Sequence, residues 1–225
     1  MKNINISKQN PYKNSARHTG EQYRKDLSSW QLPAIQEHIE TLNEKVFLDI
    51  GAGTIIPGEH FEKIGSPDKY YAQDINLDPL AEGIEFLKSK GVDTSIFTTL
   101  VSDDFDFSLI EDGEVDVAWS NSLFSHLSID VICYCLKKLN PKMKRGSSYY
   151  TSMLILPDNL ERSSYSWHHL KVKYSDITSH SLKNPFHYTR STLNNHPFID
   201  QTGFQLKTIH KYGHPIQELV EFVRI

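Results

Sequence analysis

The stretch VFLDIGAGTIIPGEH, Val46 to His60, places an acid and two glycines where they could hold a small molecule. An apolar run leads into Asp49, and Gly51 and Gly53 follow at a two-residue interval. Glycine takes backbone angles closed to other residues, and without a Cβ it lets a ligand reach the main chain. A dinucleotide site uses a third glycine, where the helix start packs closely and a pyrophosphate meets its N-terminus. Here that position is Ile56, and the next glycine is Gly58. Asp49 would also repel a pyrophosphate, so the pattern suits a ligand with an amine or another positive charge. Taken alone, Asp49 reads equally well as a helix N-cap.

Asp74, in YYAQDIN, follows the glycines by about the 20 residues that separate a glycine turn from a ribose-binding acid. Its other reading is a turn acid ahead of Asn76 and Pro79. His126 stands in SNSLFSHLS, between an apolar run and a helix start. A histidine there could remove a proton near neutral pH, or it could cap the helix and support a bound ligand. A further set comprises Trp167, His168 and His169, and then His187, Tyr188 and Arg190 in NPFHYTR. Aromatic faces beside imidazoles and hydroxyls suit a sugar or another small polar acceptor. The one His-x-x-x-His spacing among the 11 histidines, His210 to His214, falls at the expected hairpin rather than on a helix, and the two cysteines make no Cys-x-x-Cys, so no metal site is expected.

These residues need elements to position them. Strands are expected at Val46–Ile50, Lys69–Gln73, Thr94–Thr98, Val115–Trp119 and Ser147–Leu156. Helices fit Gly58–Ile64, Pro79–Ser89 and Ser128–Leu139, the last stopped by Asn140-Pro141. Such alternation implies a parallel sheet with helices on both faces. Gln205–His210 and Gln217–Arg224 are joined too closely for anything but an antiparallel hairpin. An earlier helix over 21–43 carries Leu27, Trp30, Ile35, Ile39 and Leu42 at helical spacing, and Pro33 is expected to divide it. Residues 157–190 lack a clear period and read as an inserted lid. The organisation is then an arm and cap helix (1–43), a core (44–156), a lid (157–190), and a C-terminal helix and hairpin that complete the core (191–225).

The strand with DIGAGT, followed by an acid ending the next strand, resembles the class I S-adenosylmethionine-dependent methyltransferases. The resemblance implies a Rossmann-like sheet of seven mostly parallel strands, closed by the antiparallel hairpin. It implies S-adenosylmethionine as cofactor and S-adenosylhomocysteine as its product. Asp49 would lie near the cofactor's amino group, and Gly51, Ala52 and Gly53 beneath its ribose and amino-acid part. Asp74, with Ile75 beside it, would take the ribose hydroxyls. LVSDDFDF is similar to the family's adenine-binding turn, with Asp103, Asp104 and Phe105 at the adenine. VDVAWSNSLFSHLS is similar to the fourth strand and its loop, so Ser120, Asn121 and His126 would face the reacting end. Many members carry glycine where Ile55 stands, so a wider turn or a displaced helix is expected here. NPFHYTRSTL and GHPIQELVEF resemble methyltransferases of bacterial surface-polysaccharide gene clusters.

Composition bounds the alternatives. With 225 residues, 38% hydrophobic, the chain can bury a full core. A net charge of -4 argues against a nucleic-acid surface. No apolar run approaches the ~20 residues of a membrane span, and Cys133 and Cys135 read as free thiols of a reducing cytoplasm. The expectation is a cytoplasmic enzyme, monomer or homodimer, methylating an oxygen of a sugar or nucleotide-linked glycan precursor. An N-methyltransferase and a catalytically silent cofactor-binding protein are the alternatives.

Overall fold

The computed structural model describes residues 21–156, 186–195, 197–214 and 216–225. The N-terminal arm and most of the expected lid, with Trp167, His168 and His169, lie outside the described residues.

Apolar, β-branched and aromatic runs form the parallel strands. They are β1 (Val46–Ile50), β2 (Lys69–Asp74), β3 (Phe97–Val101), β4 (Val115–Ser120) and β5 (Met143–Leu156). These runs are buried on both faces in β1, β2 and β4 and largely exposed at the edge strand β3. After these come a short strand β6 (His187–Thr189), then β7 (Phe204–His210) and β8 (Glu218–Arg224). The sheet runs β3-β2-β1-β4-β5-β8-β7. β1 to β5 pair in parallel, and β8 joins β5 and β7 antiparallel. The eighth strand, β6, pairs in parallel with the far end of β5, Leu154 against His187.

Strand alternation supplies two cores. Phe47, Tyr70, Trp119 and Tyr150 pack on one face, with α1 (Glu21–His38), α2 (Phe61–Ile64) and α3 (Leu77–Ser89). Leu48, Tyr71, Ala118 and Tyr149 pack on the other, with α4 (Ile129–Leu139), α5 (Arg190–Asn195) and α6 (Pro197–Asp200).

The sheet has eight strands where seven were expected, β5 starts four residues early at Met143, and three further features depart from the sequence expectation. α1 runs unbroken through Pro33. Both Pro33 and Ser29 are exposed, so the Ser29 carbonyl that Pro33 cannot serve is left facing water. β3 starts three residues later than expected, because Asp93 and Thr94 close a turn through Ser95 and Phe97 before the ladder begins. The helix expected over 58–64 is a 3-10 turn (Ile56–His60) running into the single turn of α2. No helix among the described residues is long and apolar enough to cross a membrane.

Candidate functional site

The carboxyl ends of β1 and β4 open into a cleft covered by the first half of α1. Asp49, Gly51, Ala52, Gly53, Thr54 and Ile56 line it from the first strand and its turn, and Asn121 and Ser122 from the end of β4. α1 contributes Tyr23, Leu27 and Gln31. These three recur every fourth residue, so they form one stripe on the helix. The polar ends of Tyr23 and Gln31, set among core positions, were the available signal for a ligand-facing helix.

The turn after β1 hangs on β2: the amides of Gly51 and Ala52 both donate to the Gln73 carbonyl, at 2.8 and 2.9 Å. Gly51 and Gly53 have φ of +70° and +51°. A Cβ added to Gly53 would meet nothing within 4 Å among the described residues. Ile55 also has positive φ, +57°, though it is β-branched and fully buried. That conformation costs an L-residue about 1–2 kcal/mol. Its side chain is accommodated because α3 carries Gly83 opposite: a Cβ there would stand 2.6 Å from the Thr54 carbonyl oxygen and 3.2 Å from Ile55 Cγ1. The turn therefore keeps a glycine's conformation without the glycine, and the helix after it is displaced into the 3-10 turn.

Two carboxylates stand at this turn. Asp49 is 3% exposed and accepts a 2.7 Å hydrogen bond from the Tyr70 hydroxyl. Burial pushes its carboxyl up to about 7; the Tyr70 bond works against this and the charge of Asp74 adds to it. Asp74 accepts from the Gly53 amide at 3.0 Å and from the Asn76 amide at 2.9 Å. It is thus both the turn acid and a partner of the glycine turn. Burial raises its carboxyl above the ordinary range, partly offset by the amides of Asn76, Gly53 and Ile75. Burial, and then the Asp74 charge, raises the Tyr23 phenol. No Lys, Arg or His is among the described residues lining the cleft.

α1 is fastened above this turn by Arg24. Its Nε lies 2.7 Å from Glu59 Oε1, an ion contact without hydrogen-bond alignment, and its guanidinium stacks 4.0 Å from the Phe86 ring centre. On the floor, Ser120 is fully buried beneath the cleft, its hydroxyl 2.8 Å from Tyr149 Oη and 2.7 Å from Thr151 Oγ1. The Asn121 carboxamide oxygen is buried and has no hydrogen-bond partner among the described residues.

Of the residues expected at the site, Asp49, Gly51, Ala52, Gly53 and Asn121 line the cleft together, and Asp74 is bonded to Gly53. Ile75 is half-buried just beyond Asp74. Asp103 and Asp104 are exposed, and Ser102 Oγ donates to Asp104 at 2.8 Å. Phe105 is 4% exposed, packed in the core near Phe107. His126 is half-buried on a 3-10 turn (Phe124–His126) and is not among the residues lining the cleft. His187 and Tyr188 are buried in β6, where the Tyr188 hydroxyl donates to the Leu127 carbonyl at 2.6 Å; Arg190 is exposed at the start of α5. β6 was hidden in the sequence by its length: three residues show no period. Among the described residues no cluster of acids, histidines and cysteines could hold a metal ion.

No family model matches this chain, and no curated protein matches it. Solved structures do. A SAM-dependent methyltransferase from Aquifex aeolicus superposes with a TM-score of 0.60 at 16% identity, over 92% of this chain and 100% of that one. A putative O-methyltransferase from Nostoc punctiforme gives 0.64 at 15% identity, over 90% of this chain and 59% of that one. Geranyl diphosphate C-methyltransferase from Streptomyces coelicolor, solved with Mg2+, geranyl diphosphate and S-adenosyl-L-homocysteine, gives 0.62 at 14% identity, over 94% and 86%. At these identities the likeness is one of architecture: the chain has the Rossmann-like fold of the SAM-dependent methyltransferases.

Proposed function

We propose that this chain is an S-adenosylmethionine-dependent methyltransferase acting on an oxygen of a small polar acceptor. The observation that carries the reading is the bond from the Gly53 amide to Asp74, which joins an open glycine turn to a strand-end acid within the shared fold. The residues fit such a cofactor. Gly53 leaves room for a ligand against the main chain, Asp49 offers a buried carboxylate to an ammonium, and the Asn121 oxygen lacks a partner among the described residues. When bound, the cofactor supplies an electrophilic methyl on a positively charged sulfur. Asp74 has carboxylate lone pairs left for hydroxyl donors after meeting Gly53 and Asn76. Tyr23, Leu27 and Gln31 cover the cleft and exclude water. His126 is the proposed base for an oxygen acceptor, with Trp167, His168 and His169 proposed to meet the acceptor.

The acceptor class we favour is a sugar or nucleotide-linked glycan precursor, on the likeness of NPFHYTRSTL to methyltransferases of polysaccharide gene clusters. One observation favours an amine instead. His126 is not among the residues lining the cleft. A neutral amine attacks without a strong base, so unchanged turnover in His126→Ala would select that reading.

Calorimetry with S-adenosylmethionine tests the cofactor. Binding is expected in the wild type, and Asp74→Ala should weaken it by about 1.5–3 kcal/mol through lost charge-assisted hydrogen bonds. Equal affinity in the two proteins would leave Asp74 as a turn residue only.

A further inference from the structure

Ser122 is a non-glycine residue with φ of +57° at the floor of the cleft. A backbone held in so sparse a region persists only where its surroundings over-determine it. Three groups do so here. The Ser122 amide donates to Ser152 Oγ at 2.6 Å, and its carbonyl accepts from Ser125 Oγ at 3.1 Å. Its own hydroxyl faces the carboxamide of Gln217, 3.2 Å from Oε1 and 3.1 Å from Nε2. Gln217 is 9% exposed and stands in the connection between β7 and β8, far from Ser122 in sequence.

That connection is itself fixed. His214 Nδ1 accepts the amides of Ile216 and Gln217, at 3.2 and 3.0 Å. The His214 ring meets Trp30 of α1 edge-on, with centres 4.5 Å apart. A chain of contacts thus runs from α1 through the C-terminal hairpin to Ser122. Its end point is Asn121, which lies next to Ser122 in the cleft with a buried oxygen lacking a partner among the described residues.

We propose that Gln217 is a positioning residue of this site. Through the Ser122 hydroxyl it holds the turn left-handed, and so sets the Asn121 oxygen to receive an N–H donor on the amino-acid part of the bound cofactor. The inference rests on the methyltransferase reading and deepens it.

Two probes separate positioning from mere structural support. S-adenosylhomocysteine carries the amino-acid part, and 5′-methylthioadenosine has the same nucleoside without it. In calorimetry, Gln217→Ala should weaken S-adenosylhomocysteine about tenfold, the scale of one hydrogen bond to a charged group, and leave methylthioadenosine within about twofold. Ser122→Ala should show the same split. Ser122→Gly should lose less, because glycine adopts positive φ without support. Equal weakening of both probes would reduce Gln217 to a structural residue, and no weakening of either would overturn the proposal outright. If Gln217→Ala does not fold, the order of the two Ser122 variants decides: equal losses, or glycine the worse, overturn it. A wild-type protein that binds neither probe removes the cofactor reading and this inference with it. A wild type that binds both, with variants that match it, removes the inference alone.

Discussion

Two turns border the cleft, and both force a residue other than glycine into the left-handed region at φ of 57°, Ile55 after β1 and Ser122 after β4. The two side chains are held by opposite means. Ile55 is fully buried in an apolar cluster, and Gly83 of α3 makes its space. Ser122 is half-buried and held by hydrogen bonds to its amide, carbonyl and hydroxyl. Packing is short-ranged and pushes from all sides, so it can brace an apolar side chain that makes no hydrogen bond. Hydrogen bonds are directional and can be remade. The turn that carries fixed ligand contacts can afford the first kind of support, and a turn that must present a side chain is better served by the second.

The largest test concerns the acid at the head of the packed turn. Burial holds the folded Asp49 carboxyl at about 7, above its ordinary 3.8, so the folded chain binds this proton more tightly than the unfolded chain does. The resulting contribution to stability is complete below about pH 4 and is lost as pH rises through about 7. Asp49→Asn should therefore be more stable than wild type above pH 7 by on the order of 4 kcal/mol, with the gap closing towards pH 4. Urea melts between pH 5 and 8 would measure it. A gap independent of pH would mean that Asp49 titrates alike in both states. The same variant should bind S-adenosylmethionine more weakly at pH 8, since the carboxylate is what an ammonium would meet.

Next in size is the packed turn itself. Ile55→Ala should cost about 3 kcal/mol, since it empties a buried site and keeps the strained backbone. Ile55→Gly leaves a similar cavity but relieves the strain, and should be about 1 kcal/mol more stable than the alanine variant. In most core positions glycine is the worse of the two, so denaturation midpoints in the reverse order would show that the φ of Ile55 carries little strain.

The smallest effect is expected at the hydrogen-bonded turn. Ser122→Ala should cost about 1 kcal/mol for the lost hydroxyl contact, and Ser122→Gly should recover most of it. Because φ is the same at both turns, the alanine-to-glycine gap should be the same at both. Unequal gaps would mean that one set of neighbours adjusts when its side chain is removed.

Most of the sheet was legible in the sequence because its strands are buried runs separated by clear stops. The order of motifs placed Asp49, Gly51, Gly53 and Asp74 at one end, and the structure brings them together. What stayed hidden depends on long-range partners. Nothing near Ile55 tells that Gly83, far along the chain, makes its conformation possible. Gln217 looks like an ordinary strand start until Ser122 is seen beside it. Tyr23 and Gln31 lie on a helix whose spacing spoke of a core, yet they face the cleft. His187 and Tyr188 carried polar groups suggestive of a binding loop, but a parallel pairing with β5 buries them.

That pairing has a consequence for how such a protein can diversify. The chain leaves β5 at Leu156 and is back on the same strand's neighbour at His187, opposite Leu154. Whatever residues 157–185 do, the chain on either side of them is already held by the sheet and by the Phe186 amide, which donates to the Ser125 carbonyl. The entropy of closing a loop grows only slowly with its length, so lengthening or shortening this segment adds little to the cost of closing it. The fold thus contains a cassette. A lineage, or a protein engineer, can change the length of what sits between Leu156 and Phe186 while the glycine turn, its two acids and the braced serine remain as they are.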